Sequence, residues 1–282
     1  MGERNHFKTH IRPQTEWFEV DVGEIFRYKD LIFLFFKRNY VTRYKQTILG
    51  PLWLILNPLI TVLLYSLVFG NIAGLSTDGA PRLVFYLCSN AIWTFFATSL
   101  TQTAGTFTTN AALMGKVYFP RLVMPISSVL TGMIDLVIQV MMLIVIMIGY
   151  TLSGNTFRVG PQLLLVFPLV LQTGMLGLGC GIIIAAMTTK YRDLAVLVSF
   201  GVQLWMYASP VVYTTSAMPE QYRNIYMFNP MAPIITCWRN VIIGTGELPI
   251  GYWGISWVIT VLILFAGVIL FNRVEKTFMD TV

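Results

Sequence analysis

Charge is what this sequence has least of. Asp, Glu, Lys and Arg make up 11% of its 282 residues, and the stretches 46–77, 83–115 and 136–157 carry none. A chain that is 56% hydrophobic and 14% aromatic with so little charge is excluded as a soluble domain and reads as an integral membrane protein. Histidine is nearly missing: His6 and His10 both lie in the polar opening stretch, so no histidine serves the apolar runs. The three cysteines, Cys88, Cys180 and Cys237, stand far apart in apolar sequence. That spacing makes neither a metal-ligand set nor a disulfide framework and leaves buried thiols. The apolar runs hold one carboxylate well inside a span, Asp135. A membrane-embedded transferase would need converging acids, bases or ligands, and a secondary transporter more buried ionisable groups and a repeat across its halves. No Gly-x-x-x-x-Gly-Lys-Ser/Thr occurs, so a pump built on this chain draws its energy from another chain or from an ion gradient. No cleavable signal is visible, because the first long apolar run comes late and more follow.

What is present is a series of long apolar runs punctuated by short charged turns. Residues 1–21 form a polar tail with Arg4, Lys8 and Arg12. Residues 22–45 interleave aromatics with Arg27, Asp30, Lys37, Arg38 and Lys45, which suits a helix lying in the membrane interface. Spans are expected within 46–77, 83–115, 122–150, 162–187, 194–212 and 250–271. Pro51 is placed to open the first and Pro58 to kink it. Residues 213–246 are too short and too broken by Pro219, Pro230 and Pro233 to cross. They read as a re-entrant helical hairpin, a surface-lying loop being the alternative. The fold class expected is therefore all-α, with six transmembrane helices, an interfacial helix before them and a hairpin before the last. Residues 46–282 form one transmembrane domain.

The cations fix the orientation. Beyond the tail, Arg27, Lys29, Lys37, Arg38, Arg43, Lys45, Lys116, Arg121, Lys190, Arg192, Arg273 and Lys276 fall on one side. Arg82, Arg158, Arg223 and Arg239 fall on the other. The richer side is expected to be cytoplasmic, with both termini there. The net charge of +6 is thus explained by anionic lipid, and nucleic acid is not implied. Two further features each admit two readings. Gly177 and Gly181 have the spacing of a close helix contact, within the chain or between two copies. Asp135 is either a proton relay or a carboxyl held by a neighbour such as Gln139.

The island 114–121, Met-Gly-Lys-Val-Tyr-Phe-Pro-Arg, separates the second and third spans. It reads as a plain turn anchored by Lys116 and Arg121, or as a docking element with Val117, Tyr118 and Phe119 as an apolar knob. Here a resemblance bears on the choice. Tyr28-Lys-Asp-Leu31, Arg43-Tyr-Lys-Gln-Thr-Ile-Leu-Gly-Pro-Leu-Trp53 and Asn57-Pro58 resemble the opening of membrane subunits of polysaccharide ABC exporters. Those permeases export O-antigens, capsules and teichoic acids. Lys116-Val-Tyr-Phe-Pro-Arg121 with Pro125, Lys190-Tyr-Arg-Asp-Leu194, Ser209-Pro-Val-Val-Tyr213, Pro219-Glu220 and Asn229-Pro230 continue the match in order. The resemblance runs from residue 17 onward.

The resemblance implies a homodimer of this chain with two copies of a soluble ATP-binding subunit, which would hold ATP and Mg2+. It implies no cofactor on the chain itself. Met114, Gly115, Lys116, Val117, Tyr118, Phe119, Pro120 and Arg121 would dock in a cleft of that ATPase. The interfacial helix and Lys190, Tyr191, Arg192 and Asp193 would flank it. The hairpin, with Pro219, Asn229, Pro230 and Pro233, is similar to the family's outer gate. The pathway would be lined by the first and fifth spans, with Trp53, Asn57, Tyr65, Gln203, Trp205, Tyr207 and Tyr213 as candidates. Flat aromatic faces and amides suit sugar rings, although aromatics also gather at membrane interfaces. The implied substrate is a lipid-linked polysaccharide crossing the cytoplasmic membrane of a bacterium. Export of a small lipid or drug is the alternative.

Overall fold

In the computed structural model, which describes residues 22–45, 47–114, 119–157, 160–188 and 194–278, every element is helical. The chain begins with α1 (Val22–Arg27) and α2 (Lys29–Tyr44). The first span opens with a 3-10 turn at Gly50–Leu52, with Pro51 in its first turn. It continues as α3 (Trp53–Tyr65), which carries Pro58 inside it, and closes as a π-helix, Ser66–Ile72. α4 (Arg82–Ala104), α5 (Thr106–Met114), α6 (Val123–Leu152) and α7 (Val166–Thr188) follow. Then come α8 (Leu194–Tyr207), α9 (Glu220–Met227), α10 (Met231–Ile243) and α11 (Ile250–Phe278).

Among the described residues, five helical segments are long and apolar enough to cross a membrane: Gly50–Ile72, Arg82–Ala104, Val123–Leu152, Pro161–Thr188 and Ile250–Phe271. The expected span over 194–212 is represented by α8, whose 14 described residues end at Tyr207. At 1.5 Å per residue they cover about 21 Å of a core about 30 Å thick. Pro210 explains the early stop: it has no N–H to continue the ladder and disfavours helical geometry in the residue before it. Turns follow it, buried at 209–212.

α4 is the centre of the bundle. It packs against α3, α6, α7, α8 and α10, and 78% of its apolar window is buried against 6% of that in Gly50–Ile72. It carries Ser89, Asn90, Ser99 and Thr103, all buried; the small side chains admit close neighbours, and Asn90 bonds Gln139 on α6. Glycine lets α7 close on it. A Cβ at Gly177 would lie 2.7 Å from Ser99 Cβ, and one at Gly181 2.5 Å from Thr103 Cβ. The small-residue pair is therefore used inside one chain. Gly179 and Gly267 bring α7 and α11 together in the same way, the Cβ position at Gly267 lying 2.9 Å from Gly179 O. α6 and α7 leave beside them an apolar cavity of about 1360 Å³, lined also by Phe95, Trp238 and Ile242.

The bundle has two distinguishable ends. At the first, Phe107 on α5 stacks on Phe271 near the end of α11, with ring centroids 4.8 Å apart, and Thr188 reaches Ala104 O. Arg121 and the start of α6 belong to this end. At the other, Asp78 accepts from Ser216 Oγ at 2.9 Å and faces Gly246.

Candidate functional site

Three regions hold the residues singled out in the sequence. At the Arg121 end, Gly115, Lys116, Val117, Tyr118, Lys190, Tyr191, Arg192 and Asp193 lie outside the described residues. Met114 closes α5. Phe119 faces inward. It is 5% exposed, its ring 5.6 Å from that of Phe35 on α2, in a cluster with Phe107, Val123, Met124, Ile182, Ala185 and Phe271. Arg121 is buried as well, and Pro120 is half-buried. The expected three-residue knob thus loses Phe119, which anchors the link to the bundle instead of projecting from it.

α2 lies along α6, fastened at three levels. Phe35 enters the cluster just described. Arg38 donates to Asn110 Oδ1 on α5 at 2.8 Å, its guanidinium 4.8 Å from the Phe35 ring. Arg43 Nη1 lies 2.6 Å from Asp135 Oδ2. The neighbour expected for Asp135, Gln139, instead accepts from Asn90 Nδ2 on α4 at 3.2 Å.

The second region comprises α3 and α8, which meet at Tyr65 and Met206. Trp53, Asn57, Gln203 and Tyr207 are exposed on it, among exposed Ile60, Leu64, Leu67, Phe200 and Leu204. Tyr65, half-buried, ties the two helices by donating to Met206 Sδ at 3.3 Å. Trp205 turns inward. Its ring packs edge-on against Phe96 with centroids 5.0 Å apart, and its Nε1 donates to Asn229 Oδ1 at 2.9 Å.

The third region is the α9–α10 pair. α9 starts after Pro219, the chain reverses at residues 228–230, and α10 ends at Gly244 with φ +72, a left-handed cap that glycine adopts without strain. Ser216 before the pair and Gly246 after it both lie near Asp78, and Arg223 bonds Glu247 at 3.1 Å, so both limbs start from one end of the bundle. α10 is buried against α4, α7 and α11, Pro233 included. Its Trp238 donates to Cys88 O at 2.9 Å. Arg239, expected as a boundary cation, is buried too. It donates to Pro210 O at 2.9 Å and Tyr213 O at 3.2 Å and covers the Phe85 ring. Asn229 holds the reversal: it accepts from Trp205 and from the Met231 N–H, and donates to Ala208 O and Ser209 Oγ. Pro230 O accepts from Ser256 on α11 at 2.8 Å. Tyr213 and Tyr226 bond hydroxyl to hydroxyl at 3.0 Å beside it.

The sequence that builds this bundle matches known proteins. Residues 30–243, most of the chain, match the family described as ABC-2 type transporter. The chain belongs to that family. Among the curated proteins similar to this ABC-2 transporter is the O-antigen export system permease protein RfbA of Klebsiella pneumoniae. It is 27% identical over 252 residues, 89% of this chain and 94% of the relative. A Myxococcus xanthus protein of the same description is 29% identical over 224 residues, 78% of this chain and 83% of the relative. Two features of this ABC-2 transporter escaped the sequence reading. The Arg43–Asp135 pair joins residues 92 apart, which no local periodicity encodes. The Trp205–Asn229 bond joins a helix to a turn across Pro210, and its one sequence signal is an indole in a span beside a polar turn.

Proposed function

We propose that the chain is the membrane-spanning subunit of an exporter that moves a lipid-linked polysaccharide across the cytoplasmic membrane. ATP is hydrolysed, with Mg2+, on a separate soluble subunit present in two copies. Membership of the ABC-2 family and relatives named for O-antigen export, matched over almost their whole length, support this reading. The observation that carries it is the exposed surface of α3 and of α8, where amides and aromatics stand among apolar side chains that lipid alone would favour. Two copies meeting across this surface enclose a pathway in which Trp53, Asn57 and Tyr207 offer sugars stacking surfaces and hydrogen bonds.

The Arg121 end is then cytoplasmic, with both termini, and Lys116, Val117 and Tyr118 contact the ATPase while Phe119 holds the link in place. The α9–α10 pair is a re-entrant hairpin over the outer mouth. The test has two arms. The purified chain in lipid should hydrolyse no ATP until the ATPase subunit is added. Deleting the chain in its host should abolish surface polymer and leave lipid-linked polymer on the inner leaflet. Surface polymer unchanged, with lipid distribution altered, would favour a small-lipid exporter instead.

A further inference from the structure

Asp135 is the only charge between Arg121 and Arg158, and it sits about three turns into α6. Its side chain is 7% exposed, while that of its partner Arg43 is 40% exposed. A carboxylate at such a position is tolerated because a cation meets it, and that cation comes from α2.

The placement of α2 gives the pair a mechanical meaning. Near its middle, Phe35 touches Phe119, which lies inside the 114–121 stretch read as the ATPase dock. Past Tyr44 the next helix along the chain is α3, part of the least buried of the five candidate spans among the described residues. From Phe35 to Arg43 is about 12 Å of helix. A push on the 114–121 link therefore arrives at Phe35, and α3 departs from the far end of the same rod. We propose that the Arg43–Asp135 ion pair is a positioning device for transport. It fastens the far end of α2 to α6, so that displacement of the dock moves the start of α3 instead of tilting α2 loose. The proposal rests on the exporter reading. Neither residue touches the substrate in it; each acts through the helix it holds.

The burial asymmetry sets the expected order of variants. Arg43→Gln takes the cation away from a buried carboxylate. Asp135→Asn leaves an arginine that can turn to water, and the double variant leaves nothing charged. The full chain is co-expressed with its ATPase partner in cells lacking their own copy. Surface polymer, co-purification of the ATPase, and ATP hydrolysed per polymer exported are then measured. Arg43→Gln should lower export roughly tenfold or more while the complex still assembles and hydrolyses ATP, so that the ratio of ATP used to polymer exported rises. Asp135→Asn should be milder. The double variant should recover to within about threefold of wild type, as expected of groups that interact. Arg43→Lys, which keeps the charge, should export well above Arg43→Gln. Losses that multiply in the double variant overturn the proposal, as does export falling only in step with assembly. A readout without transport separates this from the exporter reading: the thermal shifts of the two single variants of the purified chain should be non-additive. If wild type shows no ATPase-dependent export but the shifts are non-additive, the exporter reading fails and the pairing stands. Additive shifts with normal export remove the pair.

Discussion

An added methyl group at Gly181 has nowhere to go. Beyond the 2.5 Å approach to Thr103 Cβ, its Cβ would lie 2.8 Å from the backbone oxygen of Leu100, which cannot step aside. Gly181→Ala should therefore cost about 1–3 kcal/mol by overpacking. Gly149→Ala on α6, with nothing within 4 Å, should gain up to about 1 kcal/mol from helix propensity. Thermal unfolding of the detergent-solubilised chain checks both, and equal shifts would mean that α4 and α7 are not in contact at Gly181. Phe119 allows a similar contrast. Truncating a buried phenylalanine costs about 3–5 kcal/mol, so Phe119→Ala should lower the unfolding temperature. Tyr118→Asp is expected to spare it and to reduce ATPase co-purification. If Phe119→Ala left stability untouched and lost only the ATPase, the ring would belong to the partner's cleft after all.

At the scale of elements, the α9–α10 pair makes the sharpest statement about topology. Glu220 and Glu247 flank it, both exposed, and the contacts around Asp78 put them at the same end. Glu220→Cys and Glu247→Cys should both react with a membrane-impermeant maleimide added outside intact cells. Modification from opposite sides would turn the pair into a crossing and reverse the C-terminus. Element positions were legible in the sequence because hydropathy and proline act locally. Pro51 marked the start of the first span, and the uncharged runs marked the long helices. α8 came out short because a hydropathy run is blind to the buried turns beyond Pro210. At the site, the reversal at Asn229-Pro230 was legible from its breaker dipeptide. The inward turn of Phe119 was not, because three consecutive apolar residues cannot all face one side and the sequence does not say which is turned in. Arg239 read as a boundary charge because nothing in a linear pattern reveals that two carbonyls and the Phe85 ring will enclose it.

For the whole molecule, the contrast between a bare first span and an enclosed second one bears on how the chain is made. Synthesis and insertion proceed from the N-terminus, and a span partitions into lipid on its own hydropathy before later neighbours exist. Gly50–Ile72, with mean hydropathy 2.1, meets lipid almost unaided and stays the least covered span within its own chain. α4, at 1.4, is the least apolar of the long helices, yet it is made before α6, α7 and α10, which will cover Ser89, Asn90, Ser99 and Thr103. It must therefore wait in the membrane with these groups uncovered, or linger at the translocon until α7 arrives. A fragment ending after α5, fused to a topology reporter, should show α4 only partly inserted, and extending the fragment through α7 should make insertion complete. Equal insertion of both fragments would mean that α4 stands alone. The helix that organises the finished bundle is thus the one whose arrival depends most on what has yet to be translated.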